Sequence, residues 1–220
     1  MRAVNVSMGS PLVVACMLLS RVSYAQIAPC GGSCGSPVTA PVCIIPTGNA
    51  SVNVIGQGCV NGDLEFEVVL PQNQSAPVTI SVYAPNFTFR DIRVRVPVSG
   101  TAVGLIVQST GSGSISSIRS ITQSAGSGEL WIGSVVANSL GVGGIEAASI
   151  NVVRAVTGDI VGPIVATGSQ SVPGNISSVR ADQGNILGDV TSLGGFIDEV
   201  LAPNGSIGSA SFSGRISGSR

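Results

Sequence analysis

The chain's 220 residues carry a net charge of −1, with 10% charged and 4% aromatic side chains, and include neither histidine nor lysine. A typical globular domain is about 25% charged, and this near-neutral balance leaves no electrostatic footprint for nucleic acid or an anionic membrane surface. The missing residue types exclude Ser-His-Asp and Cys-His nucleophiles, imidazole metal sites, the P-loop lysine, Schiff bases and Ser-Lys pairs, while 44% hydrophobic content argues against simple disorder.

Residues 1–25 read as a secretory signal peptide. Arg2 supplies a positive start, PLVVACMLL (Pro11 to Leu19) is the apolar segment, and small Ser23 and Ala25 sit at the −3 and −1 positions, which places cleavage after Ala25. The apolar run is far shorter than the roughly 20 residues of a membrane-spanning helix. Val13-Val14-Ala15-Cys16 resembles a lipobox, but the apolar stretch continues past Cys16 and too little precedes it.

Cleavage there removes Cys16 and leaves Cys30, Cys34, Cys43 and Cys59 in a Cys-rich loop segment, residues 26–62. An even number in an exported chain predicts two disulfides, with three connectivities open. The CxxxC start and wide gaps differ from the paired CxxC units of zinc ribbons. GGSCG, Gly31 to Gly35, formally matches the GxSxG elbow, but it lies in this loop and the chain offers no histidine to partner it.

Residues 63–103 change character. LEFEVVL, PVTISVYA and FTFRDIRVRVPV are strand-like, the last with Phe87, Phe89, Ile92, Val94, Val96 and Val98 largely in alternation. These strands are expected to form a β-rich, disulfide-stapled N-terminal cap.

From residue 104 to residue 220 the chain repeats. GDIVGPIVATG begins at Gly158, GNISSVRADQ at Gly174, GNILGDVTSLG at Gly184, GFIDEVLAPN at Gly195 and GSIGSASFSG at Gly205. A short period held over many copies marks a solenoid. Residues two apart on a strand share a face, so Val179 and Ala181 point inward and Arg180 outward. Ile176 and Val179 are three apart, and a corner between them returns both to the interior. The glycines are expected at the other corner, at positive φ, with Asn175, Asn185 and Asn204 tolerating the same region. Two blocks, roughly 20 residues, would then make one coil, and stacked coils give parallel sheets around an aliphatic core. GGIEAASINVVRAV, which begins at Gly143, admits a helix locally, but its repeat-like ends favour irregular coil.

This pattern resembles the right-handed parallel β-helix proteins, notably large exported bacterial repeat proteins. The resemblance covers about Gly104 to Arg220 and implies an all-β parallel β-helix (β-solenoid); it carries no catalytic motif.

Carboxylates are the remaining route to catalysis. Glu65 and Glu67 share one strand face, and Asp198 and Glu199 fall at a corner; both pairs read as solvated charge, although paired carboxylates are what a glycosidase needs. Asp159, Asp182, Asp189 and Asp198 do not share one repeat position, so the calcium-binding nonapeptide pattern is missing. No catalytic, cofactor-binding or metal-binding residue is therefore assigned. Arg119, Arg154 and Arg180 occupy matching slots between inward residues and are the candidate contacts for a surface polymer. Trp131 is the only tryptophan.

The expected function is an exported, non-catalytic structural or adhesive cell-surface repeat protein. A glycan- or surface-polymer-binding module is the alternative, and a β-helix polysaccharide lyase or hydrolase a second one. Expected partners are cell-surface polysaccharide or other surface proteins, with no nucleic acid and no membrane span in the mature chain. The last block, RISGS, halts at Arg220 without a cap. A longer parent protein is the favoured explanation; edge-to-edge self-association, or blocking of the edge by Arg215 and Arg220, are the others.

Overall fold

The structure, a computed structural model, describes residues 25–26, 43–47, 51–57, 63–69, 78–83, 88–95, 102–121, 129–169, 173–208 and 216–218. Before residue 79 and after residue 208 the description is of backbone pairing alone. Cys30, Cys34 and Cys59 lie outside the described residues, as does GGSCG, and the side chain of Cys43 does too. Nearly all of the expected signal peptide also lies outside them.

The described residues are all-β, without a helix, and form fourteen strands in one hydrogen-bonded network. In chain order they are β1 (Ala25–Gln26), β2 (Cys43–Thr47), β3 (Ser51–Gln57), β4 (Asp63–Val69), β5 (Val78–Tyr83), β6 (Asp91–Arg95) and β7 (Ala102–Ile121). Then follow β8 (Glu129–Ala147), β9 (Ser149–Ala155), β10 (Ile164–Ala166), β11 (Ile176–Ala181), β12 (Val190–Ser192), β13 (Ile197–Leu201) and β14 (Ile216–Gly218). Pairing is antiparallel only at the front, for β1 with β2, β2 with β5 and β3 with β4. All other pairings are parallel, and they begin upstream of Gly104, since β4 pairs with β6 and β5 with β7.

Three ladders organise the parallel region. In the first, Ile80, Leu105, Ile132, Ile150, Ile176 and Ile197 are successive Cα partners, and so are Val82, Val107, Val135, Val153, Val179 and Val200. In the second, Phe89, Ile115, Leu140, Ile160, Ile186 and Ile207 are partners, through single bridges except where Ile115 meets Leu140 within the β7–β8 pairing. In the third, Ile92, Ile118, Ile145, Ile164, Val190 and Ile216 are partners. The chain visits the ladders in this order on each pass, and equivalent residues on successive passes lie from 18 residues apart, as for Ile132 and Ile150, to 27 apart, as for Leu105 and Ile132.

Their inward side chains make one continuous aliphatic core, in which Ile150, Val153, Ile160, Ile176, Val179 and Ile186 are fully buried. Each such side chain contributes about 1.5–3 kcal/mol by leaving water. Ser192 enters this core as well, and its hydroxyl is satisfied by donating to the Gly174 carbonyl at 2.7 Å.

The three-residue step from Ile176 to Val179 has a visible cause. Both are buried within β11, yet Ser177 is skipped in the register while Ser178 pairs with Val152 and Glu199. Gly133 is skipped in the same way where β7 meets β8, at a register shift. One outward residue is inserted at this kink, as in a β-bulge, and both flanking apolar residues stay inside.

Two expectations are corrected. GGIEAASINVVRAV is neither helix nor irregular coil: β8 runs through Ala147 and β9 resumes at Ser149. The repeat glycines Gly174, Gly184, Gly195 and Gly205 do not hold positive φ, which occurs instead at Gly111, Gly144, Gly168, Gly194 and Gly208. Gly184 and Gly205 are glycines because the backbone of the previous pass lies against them. A Cβ on Gly184 would sit 2.2 Å from the Gly158 carbonyl oxygen, and one on Gly205 would sit 2.1 Å from that of Gly184.

Candidate functional site

The three arginines do not form one row. Arg154 and Arg180 are Cα partners in the first ladder, whereas Arg119 is in the third, opposite Arg93. Each arginine is engaged with a carboxylate. Arg154 donates from Nε to Asp182 at 2.8 Å, and Arg180 donates from Nε to the other oxygen of the same carboxylate at 2.5 Å. Asp182 thus clamps two successive passes. Arg119 lies 3.1 Å from Asp91, which also accepts a hydrogen bond from the Ser117 hydroxyl. Hydrogen bonds from Arg154, then Arg180, hold the Asp182 carboxyl below its ordinary pKa of 3.8. It is ionised at neutral pH and cannot supply a proton there.

The other polar groups also connect passes. Asp159 accepts from the Asn185 backbone N–H at 2.7 Å and from its side-chain amide at 3.0 Å. The Asn185 side-chain oxygen in turn accepts from the Ser206 N–H at 2.9 Å. Asn175 does the same for the Phe196 N–H at 3.3 Å, and the Asn204 amide donates to the Asp182 carbonyl at 2.8 Å. These asparagines are bridges between neighbouring backbones.

Among the acids weighed for catalysis, Glu65 and Glu67 pair in register with Arg93 and Arg95, and their side chains lie outside the description. Asp198 and Glu199 are exposed on β13; Asp198 is skipped in the register, and Glu199 accepts from the Ser178 hydroxyl at 3.0 Å. Asp189 is exposed at the turn before β12. Among the described residues, no three or more His, Cys, Asp or Glu side chains gather where they could hold a metal ion.

One feature was missed in the sequence. Trp131 and Phe196 each immediately precede an inward isoleucine of the first ladder, Ile132 and Ile197, and both point outward, 38% and 47% exposed. Ser149 and Asn175 hold the same position on the two passes between them: Ser149 is the Cα partner of Trp131, and its hydroxyl donates to the Asn175 carbonyl at 3.3 Å. Two grooves, of about 390 and 540 Å³, flank this row and share Asn175 and Phe196. The usable signal was the recurring aromatic-Ile dipeptide, Trp131-Ile132 and Phe196-Ile197, in equivalent positions of two blocks.

No protein-family model, curated protein or solved structure matches this chain.

Proposed function

We propose that the parallel passes are coils of a β-helix and that the chain is an exported, non-catalytic structural or adhesive surface element. In-register rows such as Ile132, Ile150, Ile176 and Ile197 support the β-helical reading, because each pass presents the same inward side chains to the next. The observation that carries the functional reading is the use of the acidic groups. Asp91, Asp159 and Asp182 are each engaged across passes, with Arg119, Asn185 and the pair Arg154 and Arg180. They strengthen the stack and leave little for acid–base chemistry. Repetition of one unit, with neighbour-to-neighbour contacts throughout, suits an extended scaffold.

The test is to incubate the chain with a panel of neutral and acidic polysaccharides and measure newly formed reducing ends and unsaturated products. Retention of chain-coated beads on surfaces carrying the same polymers is measured alongside. The proposal expects no product from any polymer. Product from any one of them, abolished by a single carboxylate substitution, would overturn the non-catalytic reading.

A further inference from the structure

We infer that the outer face of the first ladder is a binding groove for an uncharged linear polysaccharide, with Trp131 and Phe196 as its two stacking platforms. The inference goes beyond a structural role and requires only the geometry of this face. The aromatic rings lie three strand steps apart, about 14 Å at the usual spacing of about 4.8 Å. The row between them is Ser149 and Asn175, and Asn151 and Ser177 line the groove beside it. Two apolar ring faces separated by a band of hydroxyl and amide groups suit a chain whose own units alternate apolar C–H faces with hydroxyls. An apolar helix or peptide would instead require a continuous hydrophobic strip.

The charge pattern selects the occupant further. Among the described residues, Asp198 is the only charged one lining either groove. Glu129 is a second acid at the Trp131 end, accepting from the Trp131 indole N–H at 3.1 Å and so fixing the ring's orientation. Among the described residues no arginine lines either groove, and Arg154 and Arg180, on the same ladder, are turned to Asp182. A polyanion would meet carboxylates here, whereas a neutral polymer meets none of that repulsion. Asn151, Ser177 and Asp198, each skipped in the register at the kink, line the two grooves on successive passes, so the lining crosses the strands and follows the stack.

The chain's single tryptophan makes the test direct, since its fluorescence reports on Trp131 alone. The full exported chain is run by affinity electrophoresis in gels containing soluble linear glucan, mannan or galactan, and in gels containing polygalacturonate. Tryptophan emission is titrated with the same polymers. The expected result is retardation by at least one neutral polymer, with a change in Trp131 emission at matching concentrations. Trp131→Ala and Phe196→Leu should each weaken retardation about five- to ten-fold, the scale of one lost aromatic stacking contact. Val142→Ala, which alters an exposed side chain outside the groove, should change nothing. Thermal unfolding of each variant confirms folding, and Phe196→Leu keeps apolar bulk if an alanine variant is lost. Retardation by no neutral polymer, retention indifferent to both aromatic substitutions, or binding only of polygalacturonate would each overturn the inference. Release of product in the same samples would overturn the non-catalytic reading and leave the groove assignment standing.

Discussion

Gly184→Ala and Gly194→Ala should differ by about 2 kcal/mol or more, although both change one glycine to alanine beside a turn. At Gly184 the added methyl would sit 2.2 Å from the Gly158 carbonyl oxygen and 2.4 Å from its carbon. That is about 1 Å inside a normal C···O contact of about 3.3 Å, and the obstacle is backbone, which cannot swing aside. The two passes must part locally. The Ile160 N–H to Asn185 carbonyl bond at 2.8 Å and the Asn185 N–H to Asp159 bond at 2.7 Å would then stretch beyond hydrogen-bonding range. Losing such bonds at about 1 kcal/mol each, together with overpacking strain of about 1–3 kcal/mol, puts the cost near 3 kcal/mol or above. Gly194 has φ +71 but nothing within 4 Å of a built Cβ. Its alanine suffers only left-handed strain of about 1–2 kcal/mol, offset in part by lower entropy of the unfolded chain. Urea unfolding followed by circular dichroism measures the difference, which should appear as a midpoint gap of about 1 M at ordinary m-values. Equal midpoints for the two variants would refute close approach as the reason for Gly184.

Val179→Asp should destabilise by about 3 kcal/mol or more, because it buries an unpaired carboxylate at a fully enclosed position. Arg180→Asp, on the outer side, should cost about 1 kcal/mol through loss of a half-buried ion pair, so similar losses in urea unfolding would contradict the assigned parity. Asp182 has a folded pKa below its ordinary 3.8, so its ion pairs contribute stability above that pH and lose it as pH falls through the lower folded value. Asp182→Asn should therefore cost about 1 kcal/mol or less at neutral pH and nothing well below pH 3.8; a deficit that persists in acid would oppose this. Thiol labelling of the non-reduced protein should find Cys30, Cys34, Cys43 and Cys59 protected, and four reactive thiols would end the disulfide expectation.

The inward residues of the repeats were legible because parity is local: Ile176, Val179 and Ala181 announce their burial within six positions, and all three are buried. Parallel pairing upstream of Gly104 was not legible, since Ile80 and Val82 are two apart and lack the Ile-x-x-Val signature, yet they stack on Leu105 and Val107. Arg119 misled for a related reason. Ile115-x-x-Ile118-Arg119 copies Ile176-x-x-Val179-Arg180 in sequence, but Ile115 belongs to the second ladder and Ile118 to the third. A motif of about ten residues does not say which side of a pass it occupies. The glycines and asparagines likewise act on the preceding or following pass, 21 or 26 residues away, and no local rule shows such contacts. Trp131 and Phe196 join one groove only once the register of three pairings is known.

Methyl NOE spectroscopy on isoleucine-, valine- and alanine-labelled protein tests the parallel stacking most directly. Equivalent side chains must meet on neighbouring passes: Ile176 should show cross-peaks to Ile150 and Ile197, and Val179 to Val153 and Val200. Cross-peaks joining Ile150 to Ala181 and Ile176 to Ala155, the pattern of an antiparallel hairpin through these strands, would contradict the account.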